Sequence, residues 1–164
     1  MIGTNLRPAL AGLIVLMPMA VSAQTATDSF DVRITIAPEC QIISTETLDF
    51  GNAGVLTGDV DATAVLQVAC TNTTPYNIGL GAGQGAGATT TTRQMTSATS
   101  DTISYRLFQN SARTINWGDT VDSDTQAATG NGAAQSFTVY GRVIAQTTPV
   151  PGTYTDNVTV TVTY

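Results

Sequence analysis

Apolar and polar residues alternate with a period of two along most of this 164-residue chain, and this pattern constrains the fold more than any other feature. Such a period places successive side chains on opposite faces of a β-strand, and no stretch has a convincing helical period. Turns rich in Gly, Pro, Asn and Asp separate the alternating segments. The pattern predicts strands at residues 30–36, 47–50, 63–70, 76–80, 103–108, 136–143 and 157–164, with 93–95 and 115–117 as candidates for further edge strands.

Each of the longer predicted strands has one apolar face. Many short antiparallel strands joined by polar turns are typical of an immunoglobulin-like β-sandwich, whose two sheets bury such faces against each other. We therefore expect an all-β fold. The residues predicted to point inward are Leu66, Val68, Cys70, Tyr76, Ile78, Leu80, Ile103, Tyr105, Leu107, Phe137, Val139, Gly141, Val158, Val160, Val162 and Tyr164.

Residues 1–23 have the three parts of a secretory signal peptide. A positive amino end that contains Arg7 is followed by an apolar run at 9–21 and by a small-residue cleavage site before Gln24. The run is too short for a membrane anchor, and no later stretch is long and apolar enough to span a bilayer. We expect an exported protein without a membrane span, in which the remainder, residues 24–164, suits a single domain.

The chain has two cysteines, Cys40 and Cys70. In an exported chain an even number of cysteines indicates a disulfide, because the compartments outside the cytosol are oxidising. Two free buried thiols are the alternative.

Composition excludes several classes of function. The formal net charge is −6 and every basic residue is an arginine, so clustered positive charge for nucleic acid or anionic membrane is lacking. The chain has no histidine, which excludes Ser-His-Asp and Cys-His catalysis and histidine metal sites. The glycines of residues 81–92 fit neither phosphate-binding fingerprint, and a flexible hairpin connection is expected there.

The remaining polar residues offer little for chemistry. No pair of carboxylates can be selected by spacing, so we expect no enzymatic activity, no cofactor and no metal. The candidates for binding are Asp119, Asp122 and Asp124, which could hold a calcium ion, and Trp117, which could stack on a sugar. Solvated loop carboxylates and a packed tryptophan are the simpler interpretations.

The segment DSFDVRITIAPEC, residues 28–40, contains a regular set of large apolar side chains before Pro38 ends the run. We call these four the apolar comb: Phe30, Val32, Ile34 and Ile36. Polar residues alternate with them, so all four point to one side. The comb is either the first strand of this domain or a strand that pairs with another molecule, and the alternation alone leaves both interpretations open.

Eight segments, in their order and spacing, resemble the spore coat protein U domain family, the fold of the major subunits of archaic, Csu-type chaperone–usher pili. The resemblance covers nearly all of residues 24–164, and the region GAGQGAGATTTT at 81–92 and the turn WGDT depart from it. The matching segments are FDVRITIAPEC, LDFG, LQVACTNTTPYNIGL, RQM, ISYRLFQN, INWGD, FTVYGRV and PGTYTDNVTVTVTY.

The resemblance implies an incomplete immunoglobulin-like β-sandwich that is completed by a donor strand from a neighbouring subunit. Residues 24–37 would be the donor-strand segment, which carries the apolar comb, and residues 38–164 the pilin-like domain. The acceptor groove and chaperone-binding edge would then be formed by four residues that we call the wall residues: Val158, Val160, Val162 and Tyr164.

The function implied by the resemblance is that of a structural subunit of a surface pilus that supports adhesion and biofilm formation. The implied partners are other copies or related pilin subunits, a periplasmic chaperone and an outer-membrane usher, and the implied route leads through the periplasm to the cell surface. The alternatives with the same fold are a spore or cell coat or matrix protein and a carbohydrate-binding module that uses Trp117.

Overall fold

β-strands are the only regular secondary structure in the computed structural model, which describes residues 21–164. The predicted all-β fold is confirmed. The strands within the described residues are β1 (Cys40–Thr45), β2 (Val60–Cys70), β3 (Pro75–Leu80), β4 (Arg93–Thr96), β5 (Thr102–Phe108), β6 (Gln126–Thr129), β7 (Ala134–Val143) and β8 (Val160–Thr163).

The chain divides into two units, one that ends at Ile34 and one that comprises Thr35–Tyr164 and contains all of these strands. In the first unit only residues 21–34 are described, and they form neither helix nor strand. The predicted signal peptide lies outside the described residues except for its last three. Over residues 21–164 there is no helix of the length and hydropathy needed to cross a membrane.

Two antiparallel sheets form the second unit as an immunoglobulin-like sandwich. Sheet A has the strand order β1-β2-β7-β5-β4, and sheet B has the order β6-β3-β8. The longest ladder joins β2 to β7 and runs from the pair Val60–Val143 to the pair Ala69–Ala134. β2 crosses to β3 in the other sheet through a tight turn in which the Thr74 N–H donates to the Thr71 carbonyl.

The core lies between the sheets and is built from the alternating faces that the sequence predicts. Every second residue of β2, β3, β5 and β7 points inward, as the period of two requires. Ile103 and Phe137 are only half-buried and flank the core. The buried members are Leu66, Val68, Cys70, Tyr76, Ile78, Leu80, Tyr105, Leu107, Val139 and Trp117.

Three predicted strands are absent from the structure. Residues 30–36 and 47–50 have no strand, and the segment at 115–117 makes one isolated bridge between Phe108 and Asn116. At 47–50 the apolar side chains fold onto the inner face of sheet A instead of pairing. They cover Gly141, where a Cβ would lie 2.8 Å from both terminal carbons of Leu48, so a larger residue here would displace the Leu48 side chain.

Two strands were not predicted. In β1 the pairing register with β2 shifts between Ile42 and Ser44. The adjacent residues Ile42 and Ile43 interrupt the alternation of apolar and polar residues at this point. In β6 the sequence QAAT is short and has no large apolar side chain. β4 was predicted as an edge strand at 93–95, and this prediction is confirmed.

An ion-pair network joins the beginning of β2 to the end of β7. The Arg142 guanidinium donates to both carboxylate oxygens of Asp61, at 2.7 and 2.8 Å, and also lies 3.3 Å from Asp59. Arg113 approaches the same Asp61 carboxylate at 3.2 Å. The hydrogen bond from Arg142 is the main cause that holds the pKa of Asp61 below its usual range.

Candidate functional site

One side of the sandwich lies between two edge strands, β1 of sheet A and β8 of sheet B. Within residues 21–164 neither strand has a partner on its outer side. β1 runs antiparallel to β2, the tight turn reverses the chain into β3, and β8 runs antiparallel to β3. β1 and β8 are therefore antiparallel across the opening. A strand added between them would be parallel to one and antiparallel to the other.

The inner face of β1 carries an apolar side chain that nothing covers. Ile42 pairs with Val68 in the β1–β2 ladder, and paired residues share a face of the sheet. Val68 is fully buried, whereas Ile42 is 42% exposed although it faces the same interior. The core is thus incomplete beneath the edge of the sheet.

The wall residues on the opposite side divide into two groups. Val158, Val160 and Val162 are half-buried and pack against the core, as predicted, whereas Tyr164 follows the end of β8 and is exposed. The Gly81 N–H donates to the Thr159 carbonyl at 2.9 Å, so the threonines between the valines form the ladder with β3. The backbone N–H and C=O groups of the valines consequently point to the open edge.

A cleft of about 460 Å³ opens where β1 ends and β8 begins. Thr45 and residues 46–50 form one side, and residues 153–158 with Val160 form the other. Its floor consists of the core residues Leu66, Leu80 and Leu107. It shares Leu48 and Phe50 with an adjoining cleft of about 700 Å³ beside residues 148–154. The arrangement exposes apolar surface next to unpaired backbone groups, which is what an extended peptide needs for strand addition.

The two edge strands approach each other closely. Thr45 at the end of β1 and Val160 at the beginning of β8 both line the cleft. Some Cα atoms of β1 and β8 lie within 8 Å of each other. A strand inserted between two others requires about 9.5 Å between them, twice the usual spacing. The edges must therefore separate further before a complete strand fits.

The apolar comb is exposed. Its four side chains have relative exposures between 71% and 87%, and no residue from 21 to 39 belongs to a strand. The structure does not test whether the comb pairs with another molecule, and its role as a donor strand remains a prediction. Its apolar side chains suit the floor of the cleft, which is formed by leucines.

The predicted disulfide joins Cys40 to Cys70, the first residue of β1 to the last residue of β2. Beside it, the Glu39 N–H donates to the Thr71 hydroxyl oxygen at 3.1 Å and the Thr71 N–H donates to the Glu39 carbonyl at 2.9 Å. The body of the domain is thus fixed directly after Pro38.

Arg93 has a structural role that the sequence analysis did not predict, since it named this residue only as part of the matching segment RQM. Its side chain is fully buried, and its guanidinium donates to the carbonyl oxygens of Leu80, Gly81, Thr90 and Trp117 at 2.7–2.8 Å. Burial lowers the pKa of Arg93, because loss of contact with water disfavours the charged form. The glycine-rich region 81–92 therefore wraps a buried cation and is not a free hairpin.

A hydrogen bond between Tyr105 and Asp156 was also missed by the sequence analysis. The Tyr105 hydroxyl donates to Asp156 Oδ2 at 2.7 Å, and both residues line the cleft. Burial, followed by this hydrogen bond, raises the pKa of Tyr105. The sequence contained one signal for this hydrogen bond: Tyr105 lies on a predicted inward face, and a buried hydroxyl needs a hydrogen-bond partner.

Trp117 and Asp124, which were candidates for sugar and calcium binding, have structural roles. Trp117 is buried and its indole N–H donates to the Ile78 carbonyl at 2.8 Å, so it has no free face for a sugar. Asp124 orders its own loop by accepting the Thr120 N–H and the Asn116 amide. Residues 21–164 contain no group of three or more metal-ligating side chains placed to hold an ion.

Comparison with known proteins gives a family match and matches to solved structures. The sequence matches the Spore Coat Protein U domain over residues 26–161. The fold is similar to a chain in the crystal structure of the CsuC–CsuE chaperone–tip adhesion subunit pre-assembly complex, from archaic chaperone–usher Csu pili of Acinetobacter baumannii, with a TM-score of 0.57 and 28% identity. The match covers 79% of this chain and 40% of that chain, so this chain spans less than half of its length. No curated protein matches.

Proposed function

Because this chain belongs to the Spore Coat Protein U domain family, we propose that it is a structural subunit of a surface pilus that assembles by donor-strand complementation. Residues 24–37 are the donor segment and residues 38–164 are the acceptor domain. The apolar comb of one subunit enters the cleft between β1 and β8 of the next. This assembly needs neither an enzyme activity nor a cofactor.

The observation that carries the proposal is the cleft itself, which has a floor of core leucines and lies where β1 ends and β8 begins, two strands with an unpaired edge. A comb that enters it and continues between the two edges would cover Ile42 on one side and the three valines of the wall on the other. Each fully buried apolar side chain stabilises by about 1.5–3 kcal/mol, so four contribute roughly 6–12 kcal/mol before ordering costs. Backbone hydrogen bonds to both edges add to this.

The same open edges explain why a chaperone is required. Unpaired strand edges beside apolar surface pair readily with the wrong chain, and a subunit without a partner is prone to aggregate. A periplasmic chaperone would cover the cleft until an outer-membrane usher exchanges it for the comb of the next subunit. The crystal structure of the neighbouring fold contains a chaperone in complex with a tip adhesion subunit, which supports this order of events.

Export through the signal peptide to the periplasm and display at the cell surface follow from this proposal. Adhesion and biofilm formation would arise from the assembled fibre. Trp117 is buried, so the carbohydrate-binding alternative loses its best residue.

Deletion of residues 24–37 from the mature chain tests the proposal. The truncated chain should form no fibres, and it should remain able to bind a synthetic peptide of residues 27–37. A matched control replaces outward-facing Asp31 and Thr35 by serine and should assemble normally. Fibres of normal length from the truncated chain, seen by electron microscopy, would refute donation by this segment.

The name of the family favours one second candidate, a coat or matrix protein with the same fold. Both functions use strand addition, and they differ in the machinery. A chaperone gene and an usher gene beside this one indicate a pilus, whereas their absence indicates a coat.

A further inference from the structure

The segment that leads into β8 is fastened to the far side of the sandwich. Thr155 and Thr96 exchange two backbone hydrogen bonds, at 2.8 and 3.1 Å. Thr96 belongs to β4, which is the edge of sheet A opposite to β1. The segment that leads into β8 therefore begins next to β4 and reaches the edge of sheet B only further along the sequence. Its first part is held away from β1.

The neighbouring residue, Asp156, strengthens this attachment from inside the cleft. Its Oδ2 accepts the Tyr105 hydroxyl from β5, and its Oδ1 accepts the Gln84 N–H at 2.7 Å from the glycine-rich region. Each carboxylate oxygen thus has its own donor. Gly83 has a positive φ of 84°, and a Cβ at this position would overlap the Asp156 carboxylate. The glycine at position 83 follows from this close approach.

We propose that Tyr105 and Asp156 are positioning residues that hold the mouth of the cleft open for an incoming strand. The inference rests on the proposed function. Tyr105 lies on β5, and β2 and β7 separate β5 from β1 in sheet A. A bond from Asp156 to this tyrosine draws the beginning of the β8 segment away from β1, at the end of the cleft lined by Thr45 and Val160.

Without this attachment the empty cleft would tend to close. Its floor consists of leucines, and the free energy of the empty domain falls when such apolar surface is removed from water. A closed cleft binds no strand, and the apparent affinity of an acceptor falls in proportion to the fraction of molecules that are open. Once a strand has entered, β8 has a partner on both sides and no longer depends on the pair. The pair should therefore affect capture of a strand and not its release.

Tyr76 provides a matched control. It is also buried, and its hydroxyl also donates to a side chain, Gln135 Oε1, at 3.0 Å. It does not line the cleft. Replacement of either tyrosine by phenylalanine removes one hydroxyl and keeps the ring.

The experiment measures how fast the mature chain captures a fluorescently labelled peptide of residues 27–37. The chain is kept dilute and the peptide in excess, so that assembly of the chain with itself is slow. We expect Tyr105→Phe to lower the association rate constant about tenfold, which corresponds to an open fraction reduced by the same factor. The dissociation rate and the thermal unfolding of the peptide complex should match those of Tyr76→Phe.

Asp156→Ala is the second variant, for the case in which Tyr105→Phe does not fold. It removes the acceptor of both the Tyr105 hydroxyl and the Gln84 N–H, so capture should again be slower. Equal association rates for the Tyr105 and Asp156 variants and the Tyr76 control would overturn the inference. If the parent chain captures no peptide, the proposed function fails, and this inference fails with it.

Discussion

Replacement of Ile34 by aspartate should abolish assembly while leaving the domain folded. Ile34 is 83% exposed in this chain, so nearly its whole apolar surface is available for burial in a neighbouring subunit. The substitution removes about 1.5–3 kcal/mol of burial. It also places a polar group in a dry cleft, which costs about 1–3 kcal/mol or more when the group is unpaired.

Together these effects weaken the association of two subunits by about 3–6 kcal/mol, or roughly two to four orders of magnitude in affinity. Fibres made by the parent chain should resist warm detergent and run as a ladder on an unboiled gel. The Ile34→Asp chain should run as a monomer. Because the side chain lies in a segment without secondary structure, the thermal unfolding of the domain should not change.

Thr35→Asp is the matched control, since it adds the same charge one residue later on the polar face of the comb. It should assemble like the parent chain. If Ile34→Asp and Thr35→Asp form the same ladder, the comb does not enter a dry cleft, and the assignment of its faces is wrong.

Two further predictions concern the stability of the domain. Replacement of Cys40 and Cys70 by serine opens a loop whose ends are 30 residues apart, and should lower the free energy of unfolding by about 3–4 kcal/mol in the chain-entropy treatment; denaturant midpoints that do not change would contradict it. Asp61 has a lowered pKa in the folded state. The stability that its ionised carboxylate contributes is therefore fully present above its unfolded pKa of about 3.9, and it is lost as the pH falls through the pKa of the folded state. Asp61→Asn should therefore lower stability by a few tenths to about 1 kcal/mol at pH 7, as expected for a solvent-exposed ion pair, and the difference should disappear in acid.

The unpaired edges of β1 and β8 have two opposing consequences for the molecule. An edge strand beside apolar surface is the feature that allows strand addition, and it is also a hazard for aggregation. The domain limits the hazard by keeping β8 short and by the close approach of β1 and β8, some of whose Cα atoms lie within 8 Å of each other. A device that holds the cleft open is then needed for capture.

The sequence determined the parts of the fold in which local and tertiary preferences agree. β2, β3, β5 and β7 alternate strictly, because each has one face in the core and one toward water, and their positions and inward residues could be predicted within a few positions. The disulfide followed from export and an even number of cysteines. The three valines of the wall followed from the same alternation.

Tertiary structure alone decided where the alternation fails and which edges stay open. Leu48 and Phe50 alternate like strand residues, yet they fold over Gly141, and β1 pairs although a bulge hides its pattern. The partners of Arg93 and Tyr105 come from distant parts of the chain. A period of two reports which side of a strand faces the core, but it carries no information about which strand lies beside it, and the cleft exists only because β1 and β8 have no neighbour between them.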